Sequence, residues 1–240
     1  MAISGFVMVG FLFVHMLGNL NMFKGPDAIN EYAHFLQALP PAILWGSRGV
    51  LIFSLILHVW MAIVITRENR AARPEDYIKN STVQASRASK TMGITGSVIL
   101  FFVIFHILHY TMCVIIPEYG GLNAYISHGG KPLLVHDVYS MLYSGFSVIG
   151  ISIFYIIAMA LLCMHLSHAV SSMFQTMGWR NKVWRKPLDR LALIYGWVIF
   201  LGFISVPVAV LSGCLSENEN SLSLTVTQHI EDNSALEDTL

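Results

Sequence analysis

The stretch SVILFFVIFHILHYTMCVII, residues 97–116, carries twenty residues with no Asp, Glu, Lys or Arg, and at its centre two histidines three apart, His106 and His109. Twenty helical residues span about 30 Å, the thickness of a hydrocarbon core. Lipid offers the backbone no hydrogen bonds, so an apolar run of this length without strict alternation is a helix. A titratable ring at that depth costs a few kcal/mol by insertion scales and is by default a functional clue.

The composition extends this reading to the whole chain. Of 240 residues, 55% are hydrophobic and 12% charged, where soluble domains carry about a quarter charged residues. Five apolar spans are expected, near 3–23, 42–66, 92–116, 149–174 and 191–215. The fold class is an all-α membrane protein, a five-helix bundle forming one domain over 1–215. Residues 216–240, with six acids and no Lys or Arg, are expected to be a solvated, disordered tail. Two further short helices at the membrane surface are expected, over Pro26–Leu39 and Lys131–Ser144.

Charge is balanced overall but not along the chain. Arg67, Arg70, Arg73, Lys79, Arg87 and Lys90 fill the link between spans two and three, and Arg180, Lys182, Arg185, Lys186 and Arg190 the link between four and five. The other two links hold Lys24, Arg48 and Lys131. Basic links stay in the cytoplasm, which places the N-terminus inside and the acidic tail outside. No cleavable signal peptide is expected, and nothing in the charge pattern suggests nucleic acid as a partner. Cys113, Cys163 and Cys214 show no CxxC spacing, so packing is the expected role of each.

Six of the ten histidines, His15, His58, His106, His109, His165 and His168, fall inside spans. With this topology His15 and one of His106 or His109 lie in the outer half of the membrane. His58 and one of His165 or His168 lie in the inner half. Two imidazoles facing each other across helices are the arrangement that ligates an iron porphyrin from both sides, so two layers imply two haems. Ser54 and Ala62 about one turn either side of His58, Gly18 near His15 and Ala169 near His165 leave room for a flat cofactor. Hydrogen-bonded packing or a proton path would also place histidines here. Zinc or copper is less apt, because no carboxylate shares these depths. Spacing alone does not choose between His106 and His109, or between His165 and His168. The histidine of each pair that is not a ligand has a propionate, a quinone path or a neighbouring helix to face.

HMLGNL (15–20), GPDAINEYAHFL (25–36), RASKTMGITG (87–96), FHILHYT (105–111) and HLSHAVSSMFQTMG (165–178) resemble the cytochrome b membrane-anchor subunit of succinate dehydrogenases and fumarate reductases, of the bacterial five-helix, two-haem type. The resemblance implies His106 and His165 as the ligands on spans three and four, pairing His58 with His165 and His15 with His106. It further implies two haems b, menaquinone as substrate, an iron–sulfur and a flavoprotein subunit as partners, and the bacterial cytoplasmic membrane as location. Arg87 and Lys90 become candidates for propionate pairing or partner docking. His34, Gln37, Trp45 and Arg48 become candidates for the outer quinone site. Two departures stand out: Cys163 occupies a position where some members carry a proton-conducting Glu, so that path is expected to be missing. Gln37 stands where an acid can lie near the quinone. Members also usually carry a basic, polar stretch ahead of span one, which this sequence does not show. Competing readings are the cytochrome b anchor of a hydrogenase or formate dehydrogenase, and a transporter using histidines as proton relays.

Overall fold

The structure, a computed structural model, describes residues 1–72, 87–218 and 221–223, and for 87–90 and 222–223 the backbone alone. Arg73, Lys79, the side chains of Arg87 and Lys90, and the tail beyond 223 with His229 lie outside the described residues.

Among the described residues five helices are long and apolar enough to cross a membrane: Ala2–Lys24, Pro41–Ala71, Thr91–Thr111, Ile149–Thr176 and Arg185–Leu211. The first is α1 (Ala2–Asn19) continued by a 3-10 turn, Leu20–Lys24. Next come α2 (Pro26–Gln37) and α3 (Pro41–Ala71), both opened by a proline, which lacks the amide hydrogen that a first helical turn leaves unpaired. Helix α4 (Arg87–His106) runs into a π turn, Ile107–Thr111. After a hairpin follow α5 (Val138–Ser147), α6 (Ile149–Thr176) and α7 (Arg185–Leu211). Helix α3 exposes Ile52, Phe53, Ile56 and Trp60, a surface that water would penalise and lipid tails do not.

Three spans differ in their ends from the sequence expectation by more than two residues, and the second of the five runs on to Ala71 rather than 66. The third stops at Thr111 rather than 116, where Met112 N–H bonds back to Ile107 O and Cys113 takes φ 49°. A non-glycine residue in that region breaks the helical path. The fifth runs Arg185–Leu211 rather than 191–215 and ends at Gly213, φ 75°, with Cys214 N–H closing onto Ala209 O.

The segment 131–144 is not one surface helix. Leu122–His128 (β1) and Lys131–His136 (β2) pair antiparallel, from His128 against Lys131 to Asn123 against His136. Gly129 and Gly130 form the turn with φ 60° and 79°, the double positive φ that a two-residue hairpin loop requires. Pro132 sits on an edge strand, where a missing N–H costs little. The short strand β3 (Leu222–Ser223) pairs on the other side of β1, giving the order β2-β1-β3.

The chain divides into two compact units, one built from 1–16, 40–100 and 157–202, the other from 17–39, 101–156 and 203–240. In the first, Val170, Met173 and Ala192 form a core against Ala2, Val9 and Tyr195. Tyr195 donates its hydroxyl proton to Val9 O, and the Arg180 guanidinium grips Asp189 with Nε at 2.9 Å and a second nitrogen at 3.0 Å.

In the second unit a buried carboxylate ties the hairpin layer together. Asp137, 0% exposed, caps α5 by accepting from Ser140 N at 3.1 Å. It also accepts from Ser140 Oγ at 2.6 Å, Asn30 Nδ2 at 2.9 Å and Asn218 Nδ2 at 3.0 Å. Tyr139 donates to Ser216 O. Residues 216–218 and 222–223 are therefore held by side-chain and strand bonds, which corrects the expectation of a freely solvated tail from 216 onward for those residues.

Helix α2 lies where the sequence places it, against α1 through Tyr32. A methyl group on Gly18 would stand 2.6 Å from Tyr32 Cε1, so Gly18→Ala is expected to cost about 1–3 kcal/mol by overpacking. Thermal unfolding in detergent checks this, and the double variant Gly18→Ala, Tyr32→Leu should recover most of the loss.

Candidate functional site

The first unit brings two of the expected ligands face to face. His58 on α3 and His165 on α6 have ring centres 6.5 Å apart with an angle of 59° between planes. Two imidazoles joined by a direct N–H···N bond of about 2.9 Å stand about 5.2 Å apart centre to centre. With a metal between them on a straight line, at about 2 Å from each nitrogen and about 1.1 Å from ring centre to nitrogen, the centres would stand about 6.2 Å apart. The observed spacing is wider than the direct bond gives.

The second nitrogen of His165 is already assigned. Thr95 Oγ1 lies 3.3 Å from His165 Nδ1, and 3.1 and 3.3 Å from the carbonyl oxygens of Thr91 and Met92 on its own helix. With the threonine proton on one of these carbonyls the threonine oxygen accepts from Nδ1–H of His165, and with that proton turned to Nδ1 the ring is the other tautomer. In the first arrangement Nε2 of His165 keeps its lone pair, the state a metal ligand needs. Small residues flank both rings. A methyl on Gly5 would lie 3.8 Å from His58 Cε1, one on Gly96 3.5 Å from His165 Cε1, and Ser54 is buried. Anything longer than a methyl at either glycine would fill the space around the rings.

Thr95 was not among the residues singled out from sequence, because a threonine in a helix usually back-bonds to its own turn and only the fold shows the histidine beyond it. Thr95→Val is expected to weaken metal-centre binding at this pair about 10–100-fold while Thr95→Ser keeps it. A haem titration of the purified chain measures both.

The second unit holds the other pair of candidates on α4 and its π turn. Nδ1 of His106 and of His109 lie 3.3 and 3.2 Å from the same atom, the hydroxyl oxygen of Tyr155 on α6. Phe102, Phe105, Tyr110 and Phe146 surround that hydroxyl's ring, with centres 4.9–6.1 Å away. His109 is 0% exposed, and its Nε2 is buried with no hydrogen-bond partner among the described residues.

The remaining candidates are placed as follows. His15 is half-buried and stacks on Phe11 at 5.2 Å; it belongs to the first unit and His106 to the second. His168 is half-buried one turn beyond His165 on α6. Arg48 is exposed with its guanidinium 4.9 Å from the Trp45 ring, a stacked cation at the rim of a span. Gln37 is exposed at the end of α2, and His34 meets His128 edge-on at 6.2 Å. The backbone of 87–90 begins α4, but the side chains of Arg87 and Lys90 lie outside the described residues. Cys163 is buried, a position that carries a thiol and no carboxylate.

No family model, curated protein or solved structure matches the chain.

Among the described residues no three His, Cys, Asp or Glu side chains gather around one point. A closed zinc-type site needs four such ligands, whereas a porphyrin brings four of its own and asks the protein for two. The His58–His165 pair, with its Thr95 support, suits the second kind of centre.

Proposed function

We propose that this chain is the membrane-anchor cytochrome b subunit of a succinate:quinone oxidoreductase. The observation that carries the reading is the 6.5 Å spacing of the His58 and His165 rings. The motif resemblance and the five spanning helices support it.

His58 and His165 hold the inner haem b, and His15 and His106 the outer one. A bound haem supplies a one-electron centre whose potential follows its axial ligands and its apolar sleeve. The chain's own residues do the rest. Thr95 orients His165, and Tyr155 orients His106. The apolar helices exclude water and ions, and the basic links at the cytoplasmic ends dock an iron–sulfur subunit carried by a flavoprotein. Menaquinone is the substrate on the outer side, with Gln37, His34, Trp45 and Arg48 as its candidate neighbours and His109 and His168 as polar groups beside the ligands. The N-terminus is cytoplasmic and the tail outside, in the bacterial cytoplasmic membrane.

Co-expression with a flavoprotein and an iron–sulfur subunit tests the assignment. The expected result is a membrane complex whose b-type absorbance is reduced by succinate and reoxidised by fumarate or a menaquinone analogue. Haem that is reduced by hydrogen or formate partners and not by succinate would move the chain to another respiratory anchor. A colourless chain would favour the transporter.

A further inference from the structure

The link between α6 and α7 carries more charge than its own contacts use. Residues 180–190, RNKVWRKPLDR, hold five cations and one acid. That acid, Asp189, is committed: it accepts two bonds from the Arg180 guanidinium and one from Ser171 Oγ. Arg185 approaches it only to 4.0 Å, with its side chain 67% exposed. Lys182, Lys186 and Arg190 are exposed and make no ion pair among the described residues.

Apolar groups stand among these cations. Trp179, Val183 and Trp184 are 60%, 77% and 56% exposed. The backbone that displays them is braced. Asn181 Oδ1 accepts from the N–H groups of Val183 and Trp184, Arg185 N–H bonds to Asn181 O, and the Trp179 ring stacks on Phe174 at 5.8 Å. The rule that basic links stay in the cytoplasm accounts for the cations. It does not account for a fixed turn that holds an indole and a valine out of the protein, a surface that costs free energy in water.

Depth says what covers them. Helices α6 and α7 have 28 and 27 residues, about 40 Å each, against a hydrocarbon core of about 30 Å and a whole bilayer of about 40–45 Å. The polar opening of α7, RKPLDR, takes up about 9 Å of its length, so a spanning α7 brings this turn to the level of the lipid headgroups. There an indole's amphipathic ring is favoured and an unpaired cation meets phosphate. A soluble anion would satisfy the cations and leave the indole and the valine in water.

We infer that the turn 179–190 binds anionic phospholipid, with headgroup phosphates on Lys182, Lys186 and Arg190 and the upper acyl chains against Val183 and Trp184. A zwitterionic headgroup brings its own cation and suits this surplus of positive charge less well. The inference needs α6 and α7 to span a bilayer and does not rest on haem. It adds a lipid contact to a link that the proposed function gives to subunit docking.

The test uses the full chain in phosphatidylcholine nanodiscs that contain, at equal mole fraction, either phosphatidylglycerol or phosphatidylcholine brominated close to the glycerol. Bromine quenches indole fluorescence on contact, and the difference between the native chain and Trp184→Phe isolates the Trp184 share. Trp60 and Trp197, 65% and 50% exposed on α3 and α7, are quenched by either lipid and report that the chain sits in the bilayer. At low salt the Trp184 share is expected to respond about fivefold more strongly to brominated phosphatidylglycerol, the factor that one cation near an anionic surface contributes. High salt should bring the two lipids to parity, and so should the triple variant Lys182→Gln, Lys186→Gln, Arg190→Gln. That variant keeps the Arg180–Asp189 pair, and an unchanged thermal unfolding curve shows that it has folded; if it does not fold, the salt dependence of the native chain decides. Equal quenching by the two lipids in the native chain at low salt overturns the inference, as does a folded triple variant that keeps the preference. A Trp184 quenched by neither lipid, while Trp60 and Trp197 are quenched, overturns it and gives the turn to a protein partner. Quenching absent at all three would contradict the spanning helices and the inference with them.

Discussion

Under the proposed function, His58→Ala is expected to yield a chain with one haem where the native chain would hold two, the larger of the spectroscopic effects open to single substitution. The His58 imidazole on α3 stands 6.5 Å from that of His165, centre to centre, and in the proposed pairing alanine would leave His165 without its axial counterpart. Loss of a ligand differs from loss of its support. Thr95→Val leaves both imidazoles in place and changes affinity, whereas His58→Ala removes a bond to the metal and with it the bound state. The change leaves His15 and His106 in place, so the second proposed haem would be retained. Pyridine-haemochrome quantification against protein gives the count, and a loss of both haems or of neither contradicts the pairing.

Asp137→Ala is expected to carry the largest stability effect, about 3 kcal/mol or more. The carboxylate is buried and accepts from Ser140 N, Ser140 Oγ, Asn30 Nδ2 and Asn218 Nδ2. Truncation orphans four donors, each costing about 1–3 kcal/mol, offset in part because a buried charge no longer has to be desolvated. It also removes the cap of α5 and loosens the stretch that bears Asn218. The pH dependence follows with its sign. Burial raises the Asp137 carboxyl, but the hydrogen bonds from Ser140 and Asn30 outweigh it and hold the group below its ordinary value of 3.8. A depressed folded value means that stabilisation is complete above the ordinary value and is lost as the pH falls through the folded one. Native protein should thus lose this increment only in acid below about pH 4, and Asp137→Ala should lack it at every pH. Thermal unfolding of the detergent-solubilised chain across pH 3–7 separates the two curves; coincident curves would show that the carboxylate contributes nothing.

The spanning helices were legible because a hydrocarbon environment enforces one pattern, and FHILHY stood out because lipid makes a ring nitrogen costly. Legibility failed where the determinants are short or shared between distant segments. SHGGK is a hairpin signal, two glycines between LNAYIS and KPLLVH, that the expectation of one surface helix over 131–144 left out. Thr95, Tyr155 and Asp137 are ordinary residues in sequence. Each matters through a partner 70, 46 or 107 positions away, and no local pattern encodes that. The break at Met112–Ile116 was likewise hidden, since an apolar composition reads as helix whether or not Cys113 turns the backbone to φ 49°. For the histidines themselves, depth along the spans set His58 at the level of His165 or His168, the resemblance chose His165, and the structure places those two rings 6.5 Å apart. Spacing alone left His106 and His109 open, and in the structure both rings reach the hydroxyl of Tyr155.

The most direct measurement is haem stoichiometry of the purified chain with electron paramagnetic resonance of its oxidised form. The account predicts two haems b per chain, both low-spin with two imidazole ligands. A chain that stays colourless with ample haem supply, or haem bound with a single histidine, would contradict it.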